Sequence, residues 1–221
     1  MSANTWSAVD SFVEAALIPT DEAFGQALAA SAAAGLPAIQ VSPSQGRLLY
    51  ILARTQRAQR ILEVGTLGGY STLWLARAAP RRGKLITLEI NPLHASVARE
   101  NFLRAGMERV IELREGPALD SLKGLRAEKP EPFDLTFIDA DKVNNLAYFE
   151  AALGLSRPGS LILVDNVVRD GEIVAEKRGA AAAAVREMIQ AIGNDPRVCA
   201  TVIQTVGSKG YDGFLLARMV D

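Results

Sequence analysis

The sequence predicts an α/β fold, in which helices cover both faces of one doubly wound parallel sheet. From residue 60 onward, short apolar runs alternate with longer segments of helical periodicity. Continuous apolar runs are typical of parallel strands that are buried on both faces. The predicted strands lie at 61–64, 85–89, 110–113, 133–138, 161–164, 201–206 and 214–219.

The chain of 221 residues is predicted to form one domain, 1–221. Residues 1–58 are interpreted as an N-terminal helical cap and residues 59–221 as the Rossmann-like core. Within the cap, Trp6, Val9 and Phe12 recur at helical spacing, which predicts one apolar helix face. Ser42-Pro43-Ser44-Gln45 predicts a helix start with a capping box. In the core, Pro158-Gly159 predicts a turn before the fifth strand.

Composition excludes several classes of protein. The formal net charge of -1 gives no electrostatic basis for binding nucleic acid or an anionic membrane. The chain has no apolar run long enough for a spanning helix, and residues 1–10 do not resemble a secretory signal, so a cytoplasmic location is expected. Cys199 is the only cysteine and His94 the only histidine, which leaves oxygen atoms as the main ligands for any metal. His94 itself is interpreted as a helix-surface residue.

Polar residues and glycines follow five successive strands. In doubly wound sheets, ligands bind beyond the carboxyl ends of the strands, so these positions predict a binding site. The segments are Glu63–Ser71, Glu89, Gly116–Ala118, Asp139–Lys142 and Asp165–Asn166.

The first of these segments is a glycine-rich turn. Gly65 and Gly69 allow a sharp turn and a close approach of the backbone to a ligand, and Ser71 follows near a helix start. Glu89 ends the next strand, where a carboxylate can accept both ribose hydroxyls of a nucleoside. The Gly-x-x-x-Gly spacing favours S-adenosylmethionine (SAM) over NAD. The alternative is a tight turn with a solvated glutamate.

The later segments carry a second kind of chemistry. If the fourth and fifth strands are neighbours, Asp139, Asp165 and Asn166 converge as hard oxygen ligands for a divalent cation. A catechol would add two oxygens to such a cation. Lys142 lies three residues beyond Asp139, and a lysine beside a metal, partly removed from solvent, can serve as a general base. The alternative is an ordinary loop turn with a surface lysine.

In sequence, the run from Arg60 to Val168 resembles the small metal-dependent O-methyltransferases, the group that contains catechol and caffeoyl-coenzyme A O-methyltransferases. Weaker similarity extends over most of the chain. The matching pieces are Ile61–Thr66, Gly68–Ser71, Thr87–Glu89, Phe133-Asp134, Phe137–Lys142 and Asp165-Asn166.

The resemblance implies a seven-stranded Rossmann-like sheet with the last strand antiparallel, SAM as methyl donor and a homodimer. It implies that Asp139, Asp165 and Asn166 bind a divalent metal, expected to be Mg²⁺ with Ca²⁺ or Mn²⁺ as alternatives, and that Lys142 is catalytic together with Asp139. The positions it implies around the cofactor are Val41, Glu63, Gly65, Thr66, Gly69, Ser71, Glu89, Ala118 and Asp139.

One segment departs from the pattern. Residues 167–173 lack the tryptophan-containing sequence that is common among the close members of the group. The departure favours a small phenolic substrate over caffeoyl-coenzyme A. The expected reaction is therefore transfer of the SAM methyl group to a hydroxyl of a catechol-like phenol. Three alternatives stay open: a metal-independent SAM methyltransferase, an NAD-binding oxidoreductase and a non-catalytic SAM-binding module.

Overall fold

The computed structural model describes residues 3–220 and contains one seven-stranded sheet. Residues 1, 2 and 221, which the predicted domain includes, lie outside the described residues. The strands are β1 Arg60–Val64, β2 Lys84–Glu89, β3 Ile111–Glu115, β4 Phe133–Ile138, β5 Ser156–Asp165, β6 Val198–Gly207 and β7 Gly210–Met219. Their order is β3-β2-β1-β4-β5-β7-β6, and β7 runs antiparallel to its neighbours β5 and β6. The predicted fold is confirmed.

Helices cover both faces of this sheet. They are α1 Ala3–Leu17, α2 Glu22–Ala33, α3 Pro43–Thr55, α4 Tyr70–Ala78, α5 Pro92–Arg104, α6 Ala118–Glu128, α7 Asn145–Leu153 and α8 Ala180–Gly193, with 3-10 turns at Lys142–Asn144 and Arg169–Val174. Alternate residues of β1 point to opposite faces, so Ile61 belongs to one apolar cluster and Leu62 to the other. Phe24 of α2 and Leu49 of α3 share the cluster of Ile61. These two helices of the N-terminal cap therefore share a core with the sheet.

Helix α3 begins where the sequence predicts. The Ser42 hydroxyl accepts the backbone N–H of Gln45 at 3.1 Å, and Pro43 occupies the first turn. The Gln45 side chain, which the capping box would use, instead acts on the carboxyl of Asp165 and lowers its pKa. A residue expected to cap a helix is thus directed at the end of β5.

Two parts of the core differ from the prediction. Helix α6 is missing from the predicted elements, although Leu122 and Leu125 are buried along it. Pro158 and Gly159 lie inside β5 and not in a turn before it. The register explains the second difference, because Phe133 of β4 pairs with Ser156 while Leu135 pairs with Leu161. Three extra residues of β5 form an irregularity that accommodates the proline and the glycine.

The predicted apolar face of α1 is only partly covered within the described chain. Phe12 is 75% exposed and Leu17 67%, although α1 contacts β6 and α3. Within residues 3–220, no helix combines the length and the apolar character needed to cross a bilayer. The cytoplasmic location stays a prediction.

Candidate functional site

The register of the sheet places the predicted site residues in one row. Val64 of β1 pairs with Leu88 of β2 and with Ile138 of β4, so the next residues, Glu89, Gly65 and Asp139, are neighbours. Ile138 pairs with Val164 of β5, which puts Asp165 beside Asp139. Backbone hydrogen bonds continue across the row, from Gly65 N–H to Leu88 O at 3.0 Å and from Asp139 N–H to Val64 O at 2.8 Å.

A cavity of about 730 Å³ opens above this row. Seven of the predicted cofactor positions line it, namely Val41, Gly65, Thr66, Ser71, Glu89, Ala118 and Asp139, together with Lys142 and Asn166. Glu63, Gly69 and Asp165 lie behind its wall. Gly69 faces Phe102, whose ring would be 2.4 Å from an added Cβ, so this glycine permits close packing of α5 on the turn.

Glu89 fastens the glycine-rich turn. One of its carboxylate oxygens, Oε2, accepts the backbone N–H of Thr66 at 3.1 Å and of Leu67 at 2.8 Å. The other, Oε1, accepts the N–H of Asn91 at 2.9 Å. Leu67 has a left-handed backbone with φ of 50°, which an L-residue adopts only where its surroundings impose it. The carboxylate therefore shapes the turn in addition to facing the cavity.

Glu63 is fully buried below the cavity floor. Its carboxyl accepts hydrogen bonds from the hydroxyls of Ser71 at 2.7 Å, Thr87 at 2.6 Å and Thr72. Burial raises the pKa of Glu63 to about 7, and the three hydroxyl donors oppose that rise. The structure thus gives Glu63 a supporting position under the turn, in contact with Ser71.

The buried Glu63 carboxyl makes stability depend on pH. Because its pKa is higher in the folded than in the unfolded chain, its contribution is full below about pH 4.5 and is lost as the pH rises through about 7. Between pH 5.5 and 8.5, the wild type should lose about 2 kcal/mol more unfolding free energy than Glu63→Gln. Urea unfolding at the two pH values measures this. Glu187→Gln, at an exposed position on α8, is the control, and an equal pH response of wild type and Glu63→Gln would contradict the account.

Asp139, Lys142, Asp165 and Asn166 meet at the ends of β4 and β5. Lys142 Nζ lies 2.9 Å from Asp139 Oδ1, and the Lys142 side chain is only 11% exposed. Burial, and next the charge of Asp139, raise the pKa of the Asp165 carboxyl above its ordinary value, while Lys142 and Gln45 act against that rise. Asn166 has φ of 56° and donates its backbone N–H to Asp165 Oδ1 at 2.9 Å.

This donor set fits a hard divalent cation. Among residues 3–220, no three acidic, histidine or cysteine side chains cluster in a way that could hold a metal. A cation held by the carboxylates of Asp139 and Asp165 would therefore take the amide oxygen of Asn166 as its third oxygen donor. Two carboxylates and one amide suit Mg²⁺, Mn²⁺ or Ca²⁺ and leave coordination positions for substrate or water.

Asp141 and His94, to which the sequence assigned no individual site role, also line the cavity. The Asp141 carboxylate accepts the Tyr148 hydroxyl at 2.5 Å and the Asn144 amide at 2.6 Å, so its position is fixed. The prediction that His94 is a helix-surface residue is wrong. His94 lines the cavity, and its Nδ1 lies 3.6 Å from Glu89 Oε1. The available signal was its position in the sequence, because His94 is the third residue of α5, the helix that follows the end of β2.

The segment after Asn166 is held by Asp212. One carboxylate oxygen of Asp212, Oδ1, accepts the backbone N–H groups of Val168 at 3.0 Å, Arg169 at 2.9 Å and Gly213 at 2.9 Å. The segment 167–173, which departs from the family pattern in sequence, is therefore fixed at its start by β7.

Comparison with known proteins identifies the family. The family model described as O-methyltransferase matches residues 20–220. A catechol O-methyltransferase of Mycobacterium tuberculosis is 53% identical over 95% of this chain and 94% of its own length. A catechol O-methyltransferase of Niastella koreensis is 46% identical over 98% of this chain and 99% of its own.

Solved structures agree with the sequence comparison. An O-methyltransferase from Bacillus cereus in complex with SAH is 51% identical, with a TM-score of 0.96 over 99% of this chain and 100% of that one. An O-methyltransferase of tomaymycin synthesis from Streptomyces achromogenes, in complex with SAM, is 42% identical with a TM-score of 0.96 over 100% of both chains. The chain therefore belongs to the O-methyltransferase family, and the resemblance to SAM-dependent O-methyltransferases found in its sequence is confirmed.

Proposed function

We propose that this chain transfers the methyl group of SAM to a hydroxyl of a small catechol-like phenol, with a divalent metal to chelate the substrate and Lys142 as general base. One observation carries the proposal. Glu89, Gly65 and Asp139 stand side by side at the strand ends below one cavity, and Lys142 lies 2.9 Å from Asp139. The same cavity would thus offer a carboxylate that accepts ribose hydroxyls and a backbone segment without a side chain. It would also offer a metal ligand and a general base.

The cofactor side of the cavity fits SAM. Its volume of about 730 Å³ lies within the range of small-molecule sites. Glu89 would accept the ribose hydroxyls, and the bare Gly65 would let the backbone approach the ligand. Asp141, fixed by Tyr148 and Asn144, is an acceptor for the methionine amino group besides Asp139. The SAH and SAM complexes of the Bacillus and Streptomyces relatives support this assignment.

The substrate side fits a metal-assisted deprotonation. Asp139, Asp165 and Asn166 would hold the cation, expected to be Mg²⁺, which when bound lowers the pKa of a coordinated hydroxyl. Lys142 accepts the proton that the hydroxyl releases. When bound, SAM supplies the methyl group, whose transfer breaks the sulfur–carbon bond as the oxygen–carbon bond forms. Alignment of the two reactants in one cavity is the enzyme's other contribution.

A matched pair of substrates tests the proposal. Transfer of labelled methyl from SAM to catechol is expected, with little transfer to phenol, because phenol lacks the second oxygen needed for chelation. The assay measures radiolabelled product at saturating SAM and Mg²⁺. Equal rates with catechol and phenol would contradict chelation, and no transfer to a broad set of catechols would contradict the substrate class.

A metal-independent methyltransferase is the second candidate. The observation that favours it is the ion pair between Lys142 and Asp139, which already compensates the carboxylate charge without a cation. In this case Asp139 and Lys142 would contact cofactor and substrate directly. Replacing both Asp165 and Asn166 by alanine separates the candidates, since the metal-independent reaction predicts little loss of activity.

We further propose that the protein is a homodimer that buries the exposed face of α1. Val9, Phe12 and Leu17 on α1 are mostly exposed, and so is Val206 on the neighbouring strand β6. Neighbouring exposed apolar side chains are typical of surfaces at which two protein chains associate. A symmetric pair would cover it.

Phe12→Lys is expected to shift the protein from dimer to monomer, because it places a charge in the proposed apolar contact. Sedimentation velocity over a range of protein concentrations measures the shift. Leu103→Lys is the control, at a similarly exposed leucine on α5. A wild type that is monomeric at all concentrations would contradict the dimer.

A further inference from the structure

Asn101 on α5 joins two parts of the molecule that are distant in sequence. It is 2% exposed, and its Nδ2 donates to the carbonyl of Gly68 at 2.8 Å and, at a longer 3.4 Å, to the carbonyl of Ala27 on α2. Its Oδ1 accepts a hydrogen bond from the Arg104 guanidinium. Because a guanidinium can only donate, this bond fixes which side of the amide faces the two carbonyls.

The first partner, Gly68, belongs to the glycine-rich turn. Glu89 holds the earlier part of the turn through the N–H groups of Thr66 and Leu67. Asn101 holds the later part through the Gly68 carbonyl. The turn thus has two anchors, one that faces the cavity and one buried behind it. Buried polar groups of this kind are costly to leave unpaired, so the loss of Asn101 frees the turn at Gly68.

The second partner, α2, forms a wall of the same cavity. Leu28, Ser31 and Ala32 line the cavity from this helix. At Gly68, an added Cβ would lie 2.0 Å from the Ser31 hydroxyl oxygen, so α2 rests directly on the turn. Ser31 in turn donates to the Ala27 carbonyl at 2.7 Å, the same carbonyl that Asn101 contacts.

We propose that Asn101 is a positioning residue that couples the docking of α2 to the geometry of the glycine-rich turn, so that the cofactor binds only where both are in place. The inference rests on the proposed function, because it takes the cofactor of this cavity to be SAM. Asn101 itself is buried behind the turn and acts through Gly68 and α2. Binding of the cofactor should therefore protect the amides of α2 as well as those of the turn.

The test compares Asn101→Ala with wild type in two measurements with SAH. Isothermal titration calorimetry should show a Kd about tenfold higher for the variant, the effect expected from loss of the buried hydrogen bond that holds the turn at Gly68. Hydrogen exchange should show that SAH protects the amides of residues 22–33 in wild type and does not protect them in the variant.

Ser160→Ala is the matched control. The Ser160 hydroxyl is buried and donates to the Phe133 carbonyl at 2.7 Å, at the opposite end of the sheet from the cavity. The same hydroxyl accepts the backbone N–H of Arg157 at 3.1 Å. The control therefore loses more than one hydrogen bond, as Asn101→Ala does, and should keep wild-type SAH affinity and α2 protection. An Asn101→Ala Kd within twofold of wild type, persistent α2 protection, or an equal loss of affinity in Ser160→Ala would each overturn the coupling. A wild type that does not bind SAH would contradict the proposed function itself.

Discussion

Lys142→Met is expected to lower kcat at least about a hundredfold while SAH affinity stays close to wild type. Lys142 Nζ lies at the cavity, 2.9 Å from Asp139 Oδ1, with only 11% of its side chain exposed. Methionine keeps a similar length and apolar stem and removes the group that accepts the proton. Single-turnover methyl transfer to catechol, at saturating SAM and Mg²⁺, measures the chemical step without product release.

The pH profile distinguishes a base from a residue that only shapes the site. Raising the pH should recover part of the lost rate, because the catechol hydroxyl then ionises without a base. Lys123→Met, at an exposed lysine on α6, serves as control and should leave the rate unchanged. A kcat loss of less than about fivefold in Lys142→Met would contradict the role of general base.

Gly65→Ala is expected to abolish methyl transfer and to lower the free energy of unfolding by about 2 kcal/mol or more. Gly65 has φ of 99°, and an added Cβ would lie 2.1 Å from the carbonyl oxygen of Asp139. That carbonyl belongs to the neighbouring strand end, so relief of the clash must separate β1 from β4 and displace Asp139. A single methyl group thus disturbs the cofactor turn and a proposed metal ligand together.

Urea unfolding and SAH titration measure the two effects of Gly65→Ala. Gly124→Ala is the matched control, because an added Cβ at this position in α6 meets nothing within 4 Å. Alanine in a helix interior should stabilise the chain by about 0.5–1 kcal/mol without touching the site. Wild-type SAH affinity in Gly65→Ala would show that the tight contact with Asp139 is not needed for cofactor binding.

The row of site residues at the strand ends was predictable, because the sequence shows where each strand of a parallel sheet ends. Glu89, Gly65, Asp139 and Asp165 each follow an apolar run directly, and the carboxyl ends of parallel strands meet at one edge. Only the strand order was missing, and the structure supplies it by placing β1 between β2 and β4. The same order explains why residues as distant in sequence as Gly65 and Asn166 face one cavity. Family membership also removes the basis for the NAD-binding alternative.

The supporting residues were not predictable, because their partners are distant in sequence and their side chains suit several uses. Gln45 has the type and spacing of a capping box, yet its side chain reaches Asp165. Asn101 lies in a helix with no local signal, and the two carbonyls that its amide contacts are 33 and 74 residues away. The exposure of Phe12 was also not predictable. An apolar helix face predicts that the helix packs against something, but it does not show whether the partner is the same chain or another.

Metal dependence of methyl transfer is the most direct test of the central claim. Labelled SAM and catechol are incubated with the enzyme after EDTA treatment, and Mg²⁺ is then added back in excess. We expect EDTA to abolish transfer and Mg²⁺ to restore it, if Asp139, Asp165 and Asn166 act by holding the cation as proposed. Transfer that continues unchanged in EDTA would contradict the metal role of these three residues and leave Lys142 and Asp139 to act on the substrate directly.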